Sequence, residues 1–299
     1  MKIATAAYPL DVLSSWAQYE DKIEAWVAEA AGQGAQLLVF PEYGAMELAT
    51  LDGPEIAADL EGSLYSVSDK LADADALHVK LAATYGVHIV AASGPAATET
   101  RPVNRARLIT PEGAIGVQDK QIMTRFEAEV WDVVPGGPLQ VFETELGRIG
   151  ILICYDSEFP LLGRALSTCD VICVPSVTET LAGYWRVRIG SMARALENQC
   201  VTVMSSCVGD AVWSEALGTS FGAGGVFCPP DRGFPPTGVL AAAEINQPGW
   251  TYAEADLAQI AEVRADGIVL NRRDWAGQIG REGAAQEVSL LSQSALKVG

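Results

Sequence analysis

The stretch Gln36-Leu37-Leu38-Val39-Phe40-Pro41-Glu42 carries four apolar residues in a row, closed by a proline. A short apolar run with that ending reads as a buried strand. Upstream, residues 15–31 place Trp16, Tyr19, Ile23, Trp26, Val27 and Ala30 at helical spacing and stop at Gly32. A helix feeding a buried strand is the building unit of an α/β protein. Working outward, residues 1–10 read as a first strand, too short for the apolar core of a secretion signal. Residues 68–84 read as a helix ending at Gly86, and 87–92 as the strand after it. Two segments, 106–110 and 115–119, flank Pro111-Glu112-Gly113 and predict a hairpin. Residues 139–144 and 148–154 predict a second pair around Leu146-Gly147. Then come a helix at 160–168, a strand at 171–174, a helix at about 185–198 and a strand at 200–205. Strands at 226–228 and 239–244 and a helix at 254–266 close the pattern. Crossovers mixed with hairpins indicate α/β with a mixed sheet. Val171-Ile172-Cys173-Val174-Pro175-Ser176 echoes the opening stretch as strand, proline, polar residue, as two sheets related by pseudo-symmetry would.

The 299 residues are 49% hydrophobic and 19% charged, the balance of a folded globular chain rather than a disordered one. A formal charge of −18 without a basic run argues against nucleic acid as a partner. No apolar run reaches the roughly 18 residues of a membrane span, so the expected location is cytoplasmic. The six cysteines, at 154, 169, 173, 200, 207 and 228, form no CxxC pair and have no histidines at zinc spacing. Most read as reduced, buried small hydrophobes, and no metal is expected.

Only two histidines exist, His78 in a helical segment and His88 in an apolar strand. Neither sits beside a nucleophile in sequence, so the base of a nucleophilic enzyme here is expected to be a carboxylate. Three segments put a reactive residue after a strand, where α/β sheets present chemistry. They are Phe40-Pro41-Glu42-Tyr43-Gly44, Gln118-Asp119-Lys120-Gln121 and Ile151-Leu152-Ile153-Cys154-Tyr155-Asp156. Taken singly, each has an ordinary reading: a loop glutamate, a strand-end lysine, a buried cysteine. Functionally, a glutamate beside an apolar strand is a desolvated base, the lysine an oxyanion partner, and the cysteine a nucleophile.

In this order the three segments resemble the nitrilase-like carbon–nitrogen hydrolase superfamily, amidase-like branch. Arg194-Ala195-Leu196-Glu197-Asn198-Gln199, Ala261-Glu262-Val263-Arg264 and Leu270-Asn271-Arg272-Arg273-Asp274-Trp275 extend the resemblance. It implies an α-β-β-α sandwich of two mixed sheets flanked by helices, dimerising through helices. It makes 1–275 the hydrolase domain and leaves 276–299 as a polar tail that packs on a partner or frays. It also implies a Glu42, Lys120, Cys154 triad acting without a cofactor on a small-molecule amide or nitrile, with an oxyanion held by Lys120 and the backbone N–H of Tyr155. A second, assisting glutamate is implied before the Pro-Gly turn. Counting seven back from Gly136 favours Glu129 over Glu127, leaving Glu127 to cap, pair locally or touch substrate. Glu158 stands close after the cysteine, where many amidase-like relatives carry an arginine. That departure favours a neutral or cationic substrate, unless Glu158 is taken up by Arg186 or Arg188. Arg194 and Glu197 read as a structural helix pair. The rival readings are a nitrilase proper, an N-carbamoyl amide hydrolase, and a catalytically silent binding protein.

Overall fold

The computed structural model describes residues 1–281, 283 and 285–290. Strand β1 (Lys2–Pro9) is followed by helix α1 (Trp16–Gly32), capped by the Ser15 side chain, and by β2 (Leu37–Val39). Next come α2 (Pro54–Ala58), α3 (Leu60–Tyr85), β3 (His88–Ala96), β4 (Val103–Ile109) and β5 (Ile115–Asp119). The second half holds β6 (Val141–Thr144), β7 (Gly147–Ile151), α4 (Pro160–Ala165), β8 (Val171–Ser176), α5 (Leu181–Asn198) and β9 (Val201–Ala211). The chain continues with β10 (Gly218–Ser220), β11 (Gly225–Phe227), β12 (Val239–Ala242), β13 (Gly249–Glu254), α6 (Leu257–Asp266) and α7 (Asn271–Asp274).

Two leaves of mixed sheet result. One runs β5-β4-β3-β2-β1-β13, the other β6-β7-β8-β9-β11-β12, with β10 beside β9. In each, three central strands are parallel and the flanking ones antiparallel. The leaves are one hydrogen-bonded path rather than two separate sheets, because Ala7–Pro9 of β1 pair with Ser206–Val208 of β9. The strand echo has its counterpart here: β2 lies between β1 and β3 as β8 lies between β9 and β7.

Alternation along the first leaf builds the layers. Ala4, Ala6, Tyr8, Leu38, Phe40 and Ile89 pack with Ile23 and Val27 of α1 and Leu64, Leu77 and Leu81 of α3. Their neighbours Ile3, Leu37, Val39, Val90 and Leu108 face the other way and pack with Ile149, Ile151, Val171 and Val203 of the second leaf. The order helix, sheet, sheet, helix follows, with α5 covering the second leaf. On α5, Leu181, Trp185 and Ile189 stay exposed.

Helix α3 starts at Leu60, eight residues before the expected helix, under an Asp59 cap. Among the described residues no helix is long and apolar enough to cross a membrane. The expected tail opens with a 3-10 turn at Trp275–Gln278. Residues 282, 284 and 291–299 of that tail lie outside the described residues.

Candidate active site

The first leaf delivers a carboxylate and an ammonium. Glu42 follows β2, Lys120 directly follows β5, and both side chains are 1% exposed. The Lys120 Nζ lies 2.7 Å from Glu42 Oε1 and 2.5 Å from Glu127 Oε2. Glu42 is held from three sides. Asn104 Nδ2 donates to its Oε1 at 2.9 Å and the Val177 N–H to its Oε2 at 3.0 Å. Glu127 accepts from the Tyr43 hydroxyl at 2.9 Å and from the Thr124 N–H and hydroxyl at 2.9 and 2.8 Å.

The second leaf delivers the thiol. Strand β7 ends at Ile151, and Cys154 opens a 3-10 turn, Cys154–Glu158, with φ at +48°. A left-handed conformation at a non-glycine residue is strained and must be held by its surroundings. Here the Ser157 hydroxyl donates to the Cys154 carbonyl at 2.6 Å, and Arg194 Nη1 to the Ser157 carbonyl at 2.9 Å. Gly190 of α5 lets the helix approach, since a Cβ there would stand 2.8 Å from the Ser157 carbonyl oxygen. The thiol donates to the Val177 carbonyl, 3.7 Å away, and the Glu42 carboxylate stands near enough to act on it electrostatically. Val177 thus meets both reacting side chains through its backbone.

Burial and neighbours tune these groups. Burial pushes the Glu42 carboxyl up, Lys120 pulls it down, and Glu127 pushes it up again, leaving it above the usual carboxylate range. Burial also pushes Glu127 up, but Lys120 and Thr124 outweigh this and hold it low. Burial works against the Lys120 ammonium, yet Glu42 and Glu127 keep it firmly protonated. Burial, then the Glu42 charge, push the Cys154 thiol well above its ordinary value, against the pull of Lys120. A carboxyl raised in this way beside a buried thiol is an arrangement that can do general-base chemistry.

All of these groups line one cavity of about 240 Å³. Phe126, Trp131 and Tyr155 supply aromatic wall, and Glu158, Glu179 and Arg186 are charged lining residues that reach solvent. Among the described residues no cluster of three His, Cys, Asp or Glu side chains is set to hold a metal.

The structure brings Glu42, Lys120, Cys154 and Tyr155 of the following turn to one cavity. Beside Lys120 the structure places Glu127, not the expected Glu129. Residues 127–131 form a single π-type turn, and residues two apart on a helical turn project to nearly opposite sides. Glu127 faces Lys120, so Glu129 faces solvent, 58% exposed and paired with Arg125 at 2.8 Å. Glu158 is taken up by Arg186 (3.3 Å), whereas Arg188 donates to the Tyr184 hydroxyl. Arg194 does pair with Glu197 at 3.0 Å, and it also braces the cysteine turn. Asn104, Val177 and Asp156 were missed. Asp156 stood inside the quoted motif, and the other two are brought in by strand pairing that no local pattern announces. His78 and His88 are buried away from this cavity, the first bonded to the Ala74 carbonyl.

The description "carbon-nitrogen hydrolase" belongs to the family model that matches residues 2–265. A probable hydrolase, YhcX of Bacillus subtilis, is 30% identical over 92% of this chain, which spans about half (53%) of that relative's length. The omega-amidase NIT2 of Danio rerio is 25% identical over 88% of this chain and 91% of its own. A solved carbon-nitrogen hydrolase from Helicobacter pylori G27 superimposes with a TM-score of 0.74 at 18% identity, over 94% of this chain and 95% of the other. An amidase from Nesterenkonia sp. AN1, solved with acrylamide added to its active-site cysteine, gives 0.63 at 23% identity, over 92% and 99%.

Proposed function

The chain belongs to the carbon-nitrogen hydrolase family, and from that premise we propose that it hydrolyses a small amide through a thioester on Cys154. One observation carries the reading: a buried lysine bonded to two buried carboxylates, the first of which lines the same cavity as a strained cysteine whose thiol meets the same Val177 backbone. Glu42 takes the proton from Cys154, and the thiolate attacks the amide carbon. Lys120 and the Tyr155 N–H hold the oxyanion. Glu42 gives its proton to the departing nitrogen, which leaves as ammonia or an amine. A water, deprotonated by Glu42, then attacks the thioester and releases the acid and the thiol.

Glu127 takes over the assisting role expected of Glu129, by holding the Lys120 ammonium charged and aimed. Glu127→Gln is therefore expected to lower kcat about 100-fold, the scale of a lost charge-assisted positioning contact. Glu129→Gln is expected to stay within about twofold of the native rate, as for an exposed helix pair. Steady-state kinetics of the two variants side by side decide it, and the opposite ranking rejects this assignment.

Substrate size and charge follow from the cavity. Its roughly 240 Å³ exceeds the about 150 Å³ that holds a benzene, so a substrate of several carbons fits. The relatives named omega-amidase suggest the amide of a dicarboxylic acid. The charged lining speaks against a second carboxylate, because Arg186 is already engaged by Glu158 and Glu179 adds another negative charge. A neutral or cationic end is the better match. Pentanamide and 5-aminopentanamide are expected to give kcat/KM about tenfold above the monoamide of glutaric acid, the worth of one unfavourable charge contact near a surface. Ammonia release over this series measures it. A fastest glutaric monoamide would make Arg186 the recognising group. Faster release from a matched nitrile or N-carbamoyl amine would move the activity to those rival readings. Absence of both turnover and acyl adduct would leave a silent binding protein. Pairing of two copies over Leu181, Trp185 and Ile189 belongs to the same proposal, and a monomer at micromolar concentration in sedimentation removes it.

A further inference from the structure

We propose that Asp156 is a positioning residue that locks the lysine segment to the cysteine segment, so that the rate, rather than substrate affinity, depends on its side chain. The inference rests on the thioester reading above and adds a residue that makes no contact with substrate. Asp156 is 1% exposed. A buried carboxylate ordinarily meets a cation. Its hydrogen bonds instead come from neutral backbone groups. The Gln121 N–H reaches both carboxylate oxygens at 3.1 Å, the Ile122 N–H reaches Oδ1 at 2.8 Å, and the Ile153 N–H reaches Oδ2 at 3.3 Å.

The places of these donors in the chain give the meaning. Gln121 and Ile122 directly follow Lys120, and Ile153 directly precedes Cys154. One carboxylate therefore grips the backbone behind the ammonium and the backbone behind the thiol, across 34 to 35 residues of sequence. A plain turn cap would put its best bond on its own turn. Here the local bond to Ile153 is the longest of the set, and the shorter ones reach across to the other leaf. The two segments have further holds. Lys120 is fixed at its tip by Glu42 and Glu127, and Cys154 by the Ser157 hydroxyl. Among the described residues only the Asp156 side chain bonds the backbone of both. Misplacement of reacting groups by about 1 Å costs on the order of 100-fold in rate.

The test compares Asp156→Asn, which keeps one acceptor oxygen and the volume, with Asp156→Ala, which keeps neither. Four quantities are read: kcat and KM on an amide the native enzyme turns over, the rate of Cys154 alkylation by iodoacetamide, and the folded fraction from thermal unfolding. Cys154→Ala supplies the alkylation background. The expected result is a kcat lower by about 100-fold in the alanine variant and by less in the asparagine variant. KM stays within about threefold, and alkylation of the folded protein slows by about tenfold. Unchanged kcat and alkylation in both variants overturn the proposal. So does a loss of rate matched by the lost folded fraction, which marks a structural cap only. If the alanine variant does not fold, the asparagine variant decides alone. If the native protein turns over no amide, the earlier reading has failed, while the alkylation arm still judges Asp156.

Discussion

Cys154→Ala is expected to lower turnover by about four orders of magnitude or more while the fold stays intact. The step lost is formation of the carbon–sulfur bond, and no neighbouring group can replace it. What survives is the residual help of oxyanion donors and binding. The structural cost is small. Glu42 loses the thiol as a neighbour but keeps Lys120, Asn104 and the Val177 N–H. Alanine would occupy the same left-handed backbone, so the strain at this position is neither relieved nor increased. A stability change of about 1 kcal/mol is expected for removing one buried sulfur. Amide turnover and thermal unfolding measure the two halves. Intact mass after incubation with amide adds a direct reading, an acyl adduct on the native chain and none on the variant. A variant that still turns over substrate would remove Cys154 as the nucleophile.

Lys120→Met is expected to damage both rate and stability. The oxyanion loses its cation, and Glu42 and Glu127 lose the charge that lies between them. Removing one partner from a buried ionic set costs about 3–5 kcal/mol, because the remaining charge stays uncompensated. The sign with pH follows. In the native protein Lys120 pulls both carboxyls down, against the push of burial. Without it Glu42, already above the unfolded value of about 4.3, rises further, and Glu127, held low in the native protein, rises above it. A raised carboxyl leaves the folded state unpenalised below the unfolded pKa and costs stability as pH rises through the folded one. The gap in melting temperature between native and variant should therefore widen from pH 5 to pH 8. A gap that does not change with pH would mean that Lys120 is not their countercharge.

Much of this was legible in the chain because it is local. The helices at 15–31 and 160–168 and the hairpin around Pro111-Glu112-Gly113 follow from period and turn chemistry, and the structure has them at α1, α4 and β4–β5. The start of α3 was not legible, since Gly62, Ser63 and Ser66 dilute the apolar period while Asp59 caps it. Strand β13 was missed because it gains its structure by pairing with β1, some 250 residues away in sequence. The site divides in the same way. Glu42, Lys120 and Cys154 each mark a strand end. Glu127 could not be told from Glu129 by counting, because the π-type turn decides which one faces inward. Asn104 and Val177 act through a side chain on a strand and a backbone N–H, neither of which has a sequence signature.

The seam between β1 and β9 has a consequence for how activity is lost. Glu42 and Lys120 come from one leaf, and Cys154 and Val177 from the other. On the proposed mechanism neither leaf holds the nucleophile together with its base, so a form in which either leaf has unfolded cannot keep a fraction of the rate. Heat inactivation and global melting should coincide, and a chain cut between the leaves should be inert until its fragments reassociate. Catalysis in this protein thus reports on the cooperativity of the whole fold, which makes it a sensitive gauge of complementation between separately made halves.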